Sequence, residues 1–240
     1  MKFICCTVLI ALMFVNGTAI SDEPQEVKEQ TLQATNNVTV KVRAQGPYDM
    51  ETPLQVVCYF KHRESGDTTL GAAVELDKEL GGVISSLRNR SEFAGDELET
   101  LLLTPPQGTI KPKLLLIVGL GEPESLSTER MEHVGRTALR EAARLGIHQV
   151  AFAPLIRDQG NMKLAAGDVA QAVIRGVLLA YRTDKALQKE GLANEYALEE
   201  WVLEAGPMYF DDTIEGVKRG INEATEVNAK RPSEPYSSRR

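Results

Sequence analysis

The sequence predicts an α/β fold built on a mixed, mostly parallel sheet, and three neighbouring stretches carry that prediction. Residues 114–118 form an unbroken apolar run, LLLIV, closed by Gly119, as suits a strand buried on both faces. Beyond a Gly- and Pro-containing turn, Met131, Val134, Ala138, Ala142 and Leu145 recur at three- and four-residue steps. Arg136, Arg140, Glu141 and Arg144 lie mostly off that stripe, so the segment is an amphipathic helix. Gly146 then ends the helix, and residues 149–155 return as a second apolar strand. Strand, helix and strand joined by short links form a βαβ unit, which places the two strands parallel in one sheet.

The remaining elements follow in chain order. Lys2, the apolar run at residues 3–15 and the small residues Gly17, Thr18 and Ala19 read together as a secretory signal peptide over residues 1–19. The run is short for a membrane span. Cys5 and Cys6 lie inside it, not just after it, which does not suit a lipid anchor. The expectation is an exported protein, periplasmic or extracellular, with no membrane attachment after cleavage. Residues 20–37 are polar and aperiodic and read as a flexible leader. Residues 38–44 alternate and make a first strand, and residues 54–60, LQVVCYF, make a second. Cys58, among apolar neighbours, reads as a buried, inert thiol.

Leu70, Ala73, Leu76, Leu80, Val83 and Leu87 give residues 69–88 a helical period, with Gly81-Gly82 interrupting it. Residues 99–104 form a strand that Pro105 and Pro106 turn back towards the central run as an antiparallel hairpin, so the sheet is mixed. Ser127 is the predicted cap of the central helix, with Glu129 in its first turn. Residues 164–181 form a long helix, on whose apolar face Gly176 is expected to pack against a strand. Residues 183–194 are a polar link and residues 196–205 a last strand. Asp212 is expected to cap the final helix, with Glu215 completing a capping box and Ile214, Val217, Ile221, Ala224 and Val227 as its buried stripe. The domain thus spans residues 38–229, and residues 230–240 read as a disordered tail.

Composition excludes some functions. The formal net charge of the 240 residues is −7, which does not suit phosphate neutralisation, so no nucleic-acid partner is expected. Of the three cysteines only Cys58 lies beyond the predicted signal, so no intramolecular disulfide is expected in the processed chain. Gly119-Leu-Gly121 follows a strand and precedes a helix, as in dinucleotide-binding turns. The third glycine position holds Glu124, however, and Glu122 and Glu124 would repel a pyrophosphate. No cofactor is therefore expected, and Gly119, Gly121 and Ser125 stand only as a candidate binding loop. His62, His133 and His148 have no ligand spacing, and neither a Gly-x-Ser-x-Gly elbow nor a phosphate loop is present. The acidic pairs Asp211-Asp212 and Glu199-Glu200 read as caps and a solvated edge. No catalytic residue and no metal ligand are assigned.

The segments LLLIVGLGEPES, ERMEHVGRTALREAARLG, GDVAQAVIRGVLLAYRTDKA and AGPMYFDDTIEGVKRGINEA resemble the N-terminal domain of the leucyl aminopeptidases, the M17 metallopeptidase family, over about residues 54–228. The resemblance implies a macro-domain-like, three-layer α/β/α fold. It also implies that the metal-binding machinery of the family lies elsewhere. There two metal ions are held by a lysine, aspartates and a glutamate of a second, C-terminal domain, and no position here corresponds to them. The expected function is a non-catalytic module that binds a protein partner, a peptidase, or forms a homo-oligomer. The alternatives are a macro-like binder of a nucleotide or ADP-ribose-type ligand near the 119–125 loop, and the accessory half of a metallo-aminopeptidase whose catalytic domain is encoded separately. The acidic loop and the expected export both count against the nucleotide.

Overall fold

The computed structural model describes residues 27–63 and 65–236. In chain order these form β1 (Glu29–Gln33), β2 (Thr39–Arg43), β3 (Leu54–Tyr59), α1 (Gly71–Glu79), α2 (Val83–Asn89), β4 (Thr100–Leu103), β5 (Leu115–Gly119), α3 (Thr128–Arg144), β6 (Gln149–Ala153), α4 (Ala166–Lys189), β7 (Glu200–Glu204) and α5 (Phe210–Ala229). The predicted signal peptide, the first part of the leader and the last four residues of the tail lie outside the described residues.

One seven-stranded sheet runs in the order β1-β2-β7-β6-β3-β5-β4. Its five inner strands are parallel, and the edge strands β1 and β4 pair antiparallel to their neighbours. The βαβ unit is present as expected: β5 and β6 lie parallel on either side of β3, where Val56 pairs with both Leu116 and Phe152. The two-residue period of a strand splits the central strands β3 and β5 between two cores. Val57, Tyr59, Leu115 and Ile117 pack with Ala73, Leu76 and Ile84 of α1 and α2. Val56, Cys58, Leu116, Phe152 and Trp201 face the opposite way, against α3, α4 and α5 through Met131, Val134, Val173, Val177 and Val217. The result is the expected three-layer α/β/α arrangement.

Local signals held where their partners were local. Ser127 Oγ accepts from Arg130 N at 3.2 Å, capping α3, and Gly146 closes that helix at φ +65°. Gly81 and Gly82, both at positive φ, separate α1 from α2.

Five expectations are corrected. Glu29–Gln33, inside the predicted flexible leader, is an edge strand, antiparallel to β2. It is held by backbone pairing and has only Leu32 half-buried, so it needs no apolar pattern. Helix α4 continues to Lys189, about two turns past the predicted end, along a half-buried polar flank. Gly176 packs against a helix and not a strand: a Cβ there would lie 2.1 Å from Glu132 O of α3, and one at Gly135 would lie 2.3 Å from Val173 O of α4. Asp212 does not cap its own helix. The N-cap of α5 is Tyr209, and Asp212 Oδ2 accepts from Gly167 N at the start of α4, at 2.7 Å. The start of the predicted tail is also engaged, since Arg231 Nη1 donates to Leu179 O and Thr183 Oγ1, each at 3.0 Å.

Candidate functional site

The parallel strands all end at one edge of the sheet, and the loops leaving them gather there. A cleft of about 450 Å³ opens at this edge between residues 44–47 after β2, 70–72 at the start of α1, 153–158 after β6 and 203–207 at the end of β7, with α4 and α5 behind. Its walls are largely apolar, from Leu155, Val169, Leu203 and Ala205 among others. Three residues that line it have acidic or basic side chains: Arg157, Asp158 and Glu204.

Asp158 caps α1. Its Oδ1 accepts from Ala72 N at 2.8 Å and its carbonyl from Leu70 N at 2.6 Å. Gly71 is required between them, because at φ +51° a Cβ would fall 2.4 Å from Asp158 Oδ1. Burial raises the Asp158 carboxyl, while the hydrogen bond from Ala72 opposes the shift. Asp212 caps α4 in the same way, so the amino ends of α1 and α4 already hold a carboxylate. Arg157 lies along the wall, with Nη2 donating to Leu164 O and the guanidinium 5.3 Å from the centre of the Tyr209 ring.

Glu204 is the deepest of the three, 7% exposed. Its Oε2 accepts from Gln55 Nε2 at 2.7 Å, while Glu204 Oε1 and Gln55 Oε1, both buried, have no hydrogen-bond partner. Burial pushes the carboxyl up to about 8, against the opposing pull of the Gln55 hydrogen bond and of Arg43.

A second, polar depression of about 290 Å³ lies beside the cleft, lined by Lys61, Arg63, Asp67, Arg88, Glu124 and Lys163 among others. Its charges are mostly spent on one another. Arg88, 3% exposed, donates from Nε to Asp67 Oδ2 at 2.6 Å and from Nη2 to Phe60 O at 2.8 Å. Burial raises the Asp67 carboxyl, but hydrogen bonds from Arg88 and His62 outweigh it and leave the group lowered. Arg63 pairs with Glu124 at 2.6 Å.

The candidate loop residues sit together, but none lines the cleft or the depression. Gly119 is pressed against the preceding loop, where a Cβ would lie 1.9 Å from Asp96 O, and its N–H donates to Glu99 O. Gly121, at φ +67°, donates its N–H to Gly95 O. Ser125 Oγ donates to Glu122 O and accepts from Arg130 Nη1. The turn is thus closed on itself.

Cys58 is fully buried, and burial pushes its thiol up. His133 is exposed on α3, and His148, just before β6, stacks on Tyr196. Among the described residues no three His, Cys, Asp or Glu side chains converge as a metal site. The sequence reading missed Asp158 and Glu204. The one available signal was strand parity, which puts Glu204 on the same inward face as Val202.

The family model for the N-terminal domain of the cytosol aminopeptidase family matches residues 56–190. A probable cytosol aminopeptidase of Alkaliphilus metalliredigens is 31% identical over 133 residues, 52% of this chain and 26% of that protein. One from Thermosynechococcus vestitus is 34% identical over 110 residues, 45% of this chain and 21% of that protein. The matches thus span about a quarter or less of those relatives. Among solved structures, a tomato leucine aminopeptidase superposes with a TM-score of 0.55 at 18% identity, covering 80% of this chain and 36% of that one. A macrodomain of Oceanobacillus iheyensis superposes with a TM-score of 0.56 at 12% identity, covering 84% and 98%. At those identities the likeness is one of fold. The relatives are cytosol aminopeptidases, and that finding overturns the expectation of an exported protein. The apolar run at residues 3–15 from which export was read is a signal of composition alone and lies outside the described residues. With more than half of its length matched by the family model, the chain belongs to the cytosol aminopeptidase (M17) family, through that family's N-terminal domain.

Proposed function

We propose that this domain is a non-catalytic recognition module that takes a small, largely apolar ligand in the cleft at the carboxyl edge of its sheet. The cleft carries the proposal. Its volume of about 450 Å³ lies within the range of small-molecule sites, and it opens where open α/β sheets receive their ligands. One of the macrodomains of similar fold was solved with ADP. Here the amino ends of α1 and α4 already hold the carboxylates of Asp158 and Asp212, so a diphosphate finds neither of those helix ends free, which counts against a nucleotide. The non-catalytic part of the reading is supported by the work its reactive groups already do: Asp158 caps a helix, Glu204 bonds Gln55, and Cys58 is sealed in a strand.

Two measurements test it. The purified protein, supplied with zinc or manganese, should turn over leucine amide no faster than a metal-only control. A Gly119→Asp variant prepared identically reports contaminating peptidase. Activity that follows the folded wild type and disappears with chelator would overturn the non-catalytic reading. In thermal-shift titrations, small apolar molecules should raise Tm saturably in the wild type but not in Leu70→Trp, which narrows the mouth. Equal shifts in both would remove the cleft as the site.

A second reading, self-association through the same edge, is favoured by three exposed apolar side chains there. Leu70 is 62% exposed, Met162 64% and Met208 86%. Sedimentation velocity should then show a dimer that Met208→Glu dissociates, and a monomer at all concentrations would remove this reading.

A further inference from the structure

The chemistry of the cleft narrows the ligand further, resting on the reading above that a small molecule occupies it. Among the described residues Arg157 is the one basic side chain of the lining, set beside apolar walls from Leu155, Val169, Leu203 and Ala205. It is half-buried, so part of its surface stays open to solvent. No carboxylate of the described residues lies within ion-pair distance of it, whereas Arg63, Arg88 and Arg130 each pair with one. A guanidinium carries five N–H donors, and those of Arg157 are poorly used. Nη2 donates to Leu164 O, Nη1 has the thioether Sδ of Met162 at 3.3 Å, and the buried Nε has no partner. Thioether sulfur is a weak acceptor, and Met162 is 64% exposed, so little holds it in that place. The ring of Tyr209, also in the lining, supports the guanidinium from one side. A cation kept partly out of water, with no counter-charge beside it, calls for an anion.

We propose that the cleft takes small organic monocarboxylates, alkyl or aryl, with the carboxylate held by the Arg157 guanidinium and the hydrocarbon body against the apolar walls. A planar carboxylate matches the guanidinium fork and accepts two parallel N–H bonds from it. In doing so it displaces the Met162 thioether and not a protein carboxylate, so no ion pair has to break. One negative charge also balances the single positive charge of the lining. A phosphate monoester would bring surplus charge up to Asp158, and an ammonium would meet Arg157 with nothing to offset it. The two acids of the lining do not stand against the assignment. Asp158 gives its carboxylate to the amino end of α1 through Ala72 N. Burial pushes Glu204 up to about 8, so at pH 7 it is mostly uncharged.

Isothermal titration calorimetry of the full chain at neutral pH and fixed ionic strength, with hexanoate, hexanol and hexylamine, tests the assignment. Hexanoate should bind at least about tenfold more tightly than hexanol, as a charge-assisted pair of hydrogen bonds gives, and hexylamine more weakly than either. Arg157→Gln should bring hexanoate down to the level of hexanol and leave hexanol itself unchanged. Arg157→Lys, which keeps the charge but loses the fork, should restore only part of the preference. Arg140→Gln, on the exposed flank of α3, removes the same net charge and should change nothing. Leu70→Trp, which narrows the mouth, should weaken hexanoate and hexanol alike. The wild-type order of the three probes stands as evidence even if Arg157→Gln folds poorly. Hexanoate binding no tighter than hexanol, or hexylamine binding as tight as hexanoate, would overturn the carboxylate assignment while leaving the cleft as a site. A preference for hexanoate that survives in folded Arg157→Gln, or hexanoate binding unaltered in Leu70→Trp, would place the carboxylate elsewhere and overturn the role of Arg157. Binding by none of the probes would overturn both the assignment and the reading it rests on.

Discussion

Glu204→Gln separates the charge of this buried acid from its shape, because the two side chains are nearly isosteric. The sign follows from the direction of the shift. The Glu204 carboxyl titrates at about 8 in the folded protein against an ordinary 4.5, so between those values the native state holds a proton that the unfolded chain has released. Stability therefore falls as pH rises through that window, and the deficit is complete above 8. With each pKa unit corresponding to 1.36 kcal/mol, the cost of carrying this acid is on the order of 3 kcal/mol at pH 7 and about 5 kcal/mol above pH 9. Gln does not titrate, and its amide oxygen can still accept from Gln55 Nε2. The variant should match the wild type near pH 4.5 and exceed it by an amount that grows steadily towards pH 9. Urea unfolding of both proteins at pH 5, 7 and 8.5 measures this, and the other titrating groups cancel in the difference. A stability difference that stays constant across the three values would refute the reasoning, since it would mean that Glu204 titrates alike in both states and is not buried as described.

Other substitutions test the packing. Leu116→Ala, in the middle of fully buried β5, should cost about 2–5 kcal/mol, and Arg140→Ala on the exposed flank of α3 no more than about 0.5 kcal/mol. Comparable denaturant midpoints for the two would show that β5 is misplaced. Asp212→Ala should cost about 1 kcal/mol through loss of the cap on α4, whereas Asp211→Ala, whose side chain is 88% exposed, should be nearly neutral. Equal effects in thermal unfolding would count against the cross-helix cap. Gly176→Ala gains about 1 kcal/mol of helix propensity but forces a methyl group to within 2.1 Å of Glu132 O, so the net result should be a loss of about 1–3 kcal/mol. A stabilised variant would mean that α3 and α4 do not meet there.

The features legible in the sequence were those whose causes lie within a few residues of one another. The apolar run of β5, the Ser127 cap, the left-handed Gly146 and the break at Gly81-Gly82 each follow from local sterics or local hydrogen bonding, and the structure has all four. The family, too, was visible in the segments around β5, α3 and α4. Where a residue's partner is distant, the same local signature became ambiguous. Asp212 has the spacing of a capping box, yet its carboxylate serves Gly167, which only the packing of α5 on α4 brings into reach. Gly176 announced a close approach, but which backbone approaches depends on how α3 crosses α4. Strand β1 is held by backbone pairing to β2 and carries no pattern for a reader of side chains. The cleft is the extreme case. Residues 44–47, 70–72, 153–158 and 203–207 meet only because the crossovers of the sheet return every parallel strand in the same direction, so that their loops share one edge. Glu204 becomes a buried, half-paired acid through that convergence, and strand order is a property of the whole chain.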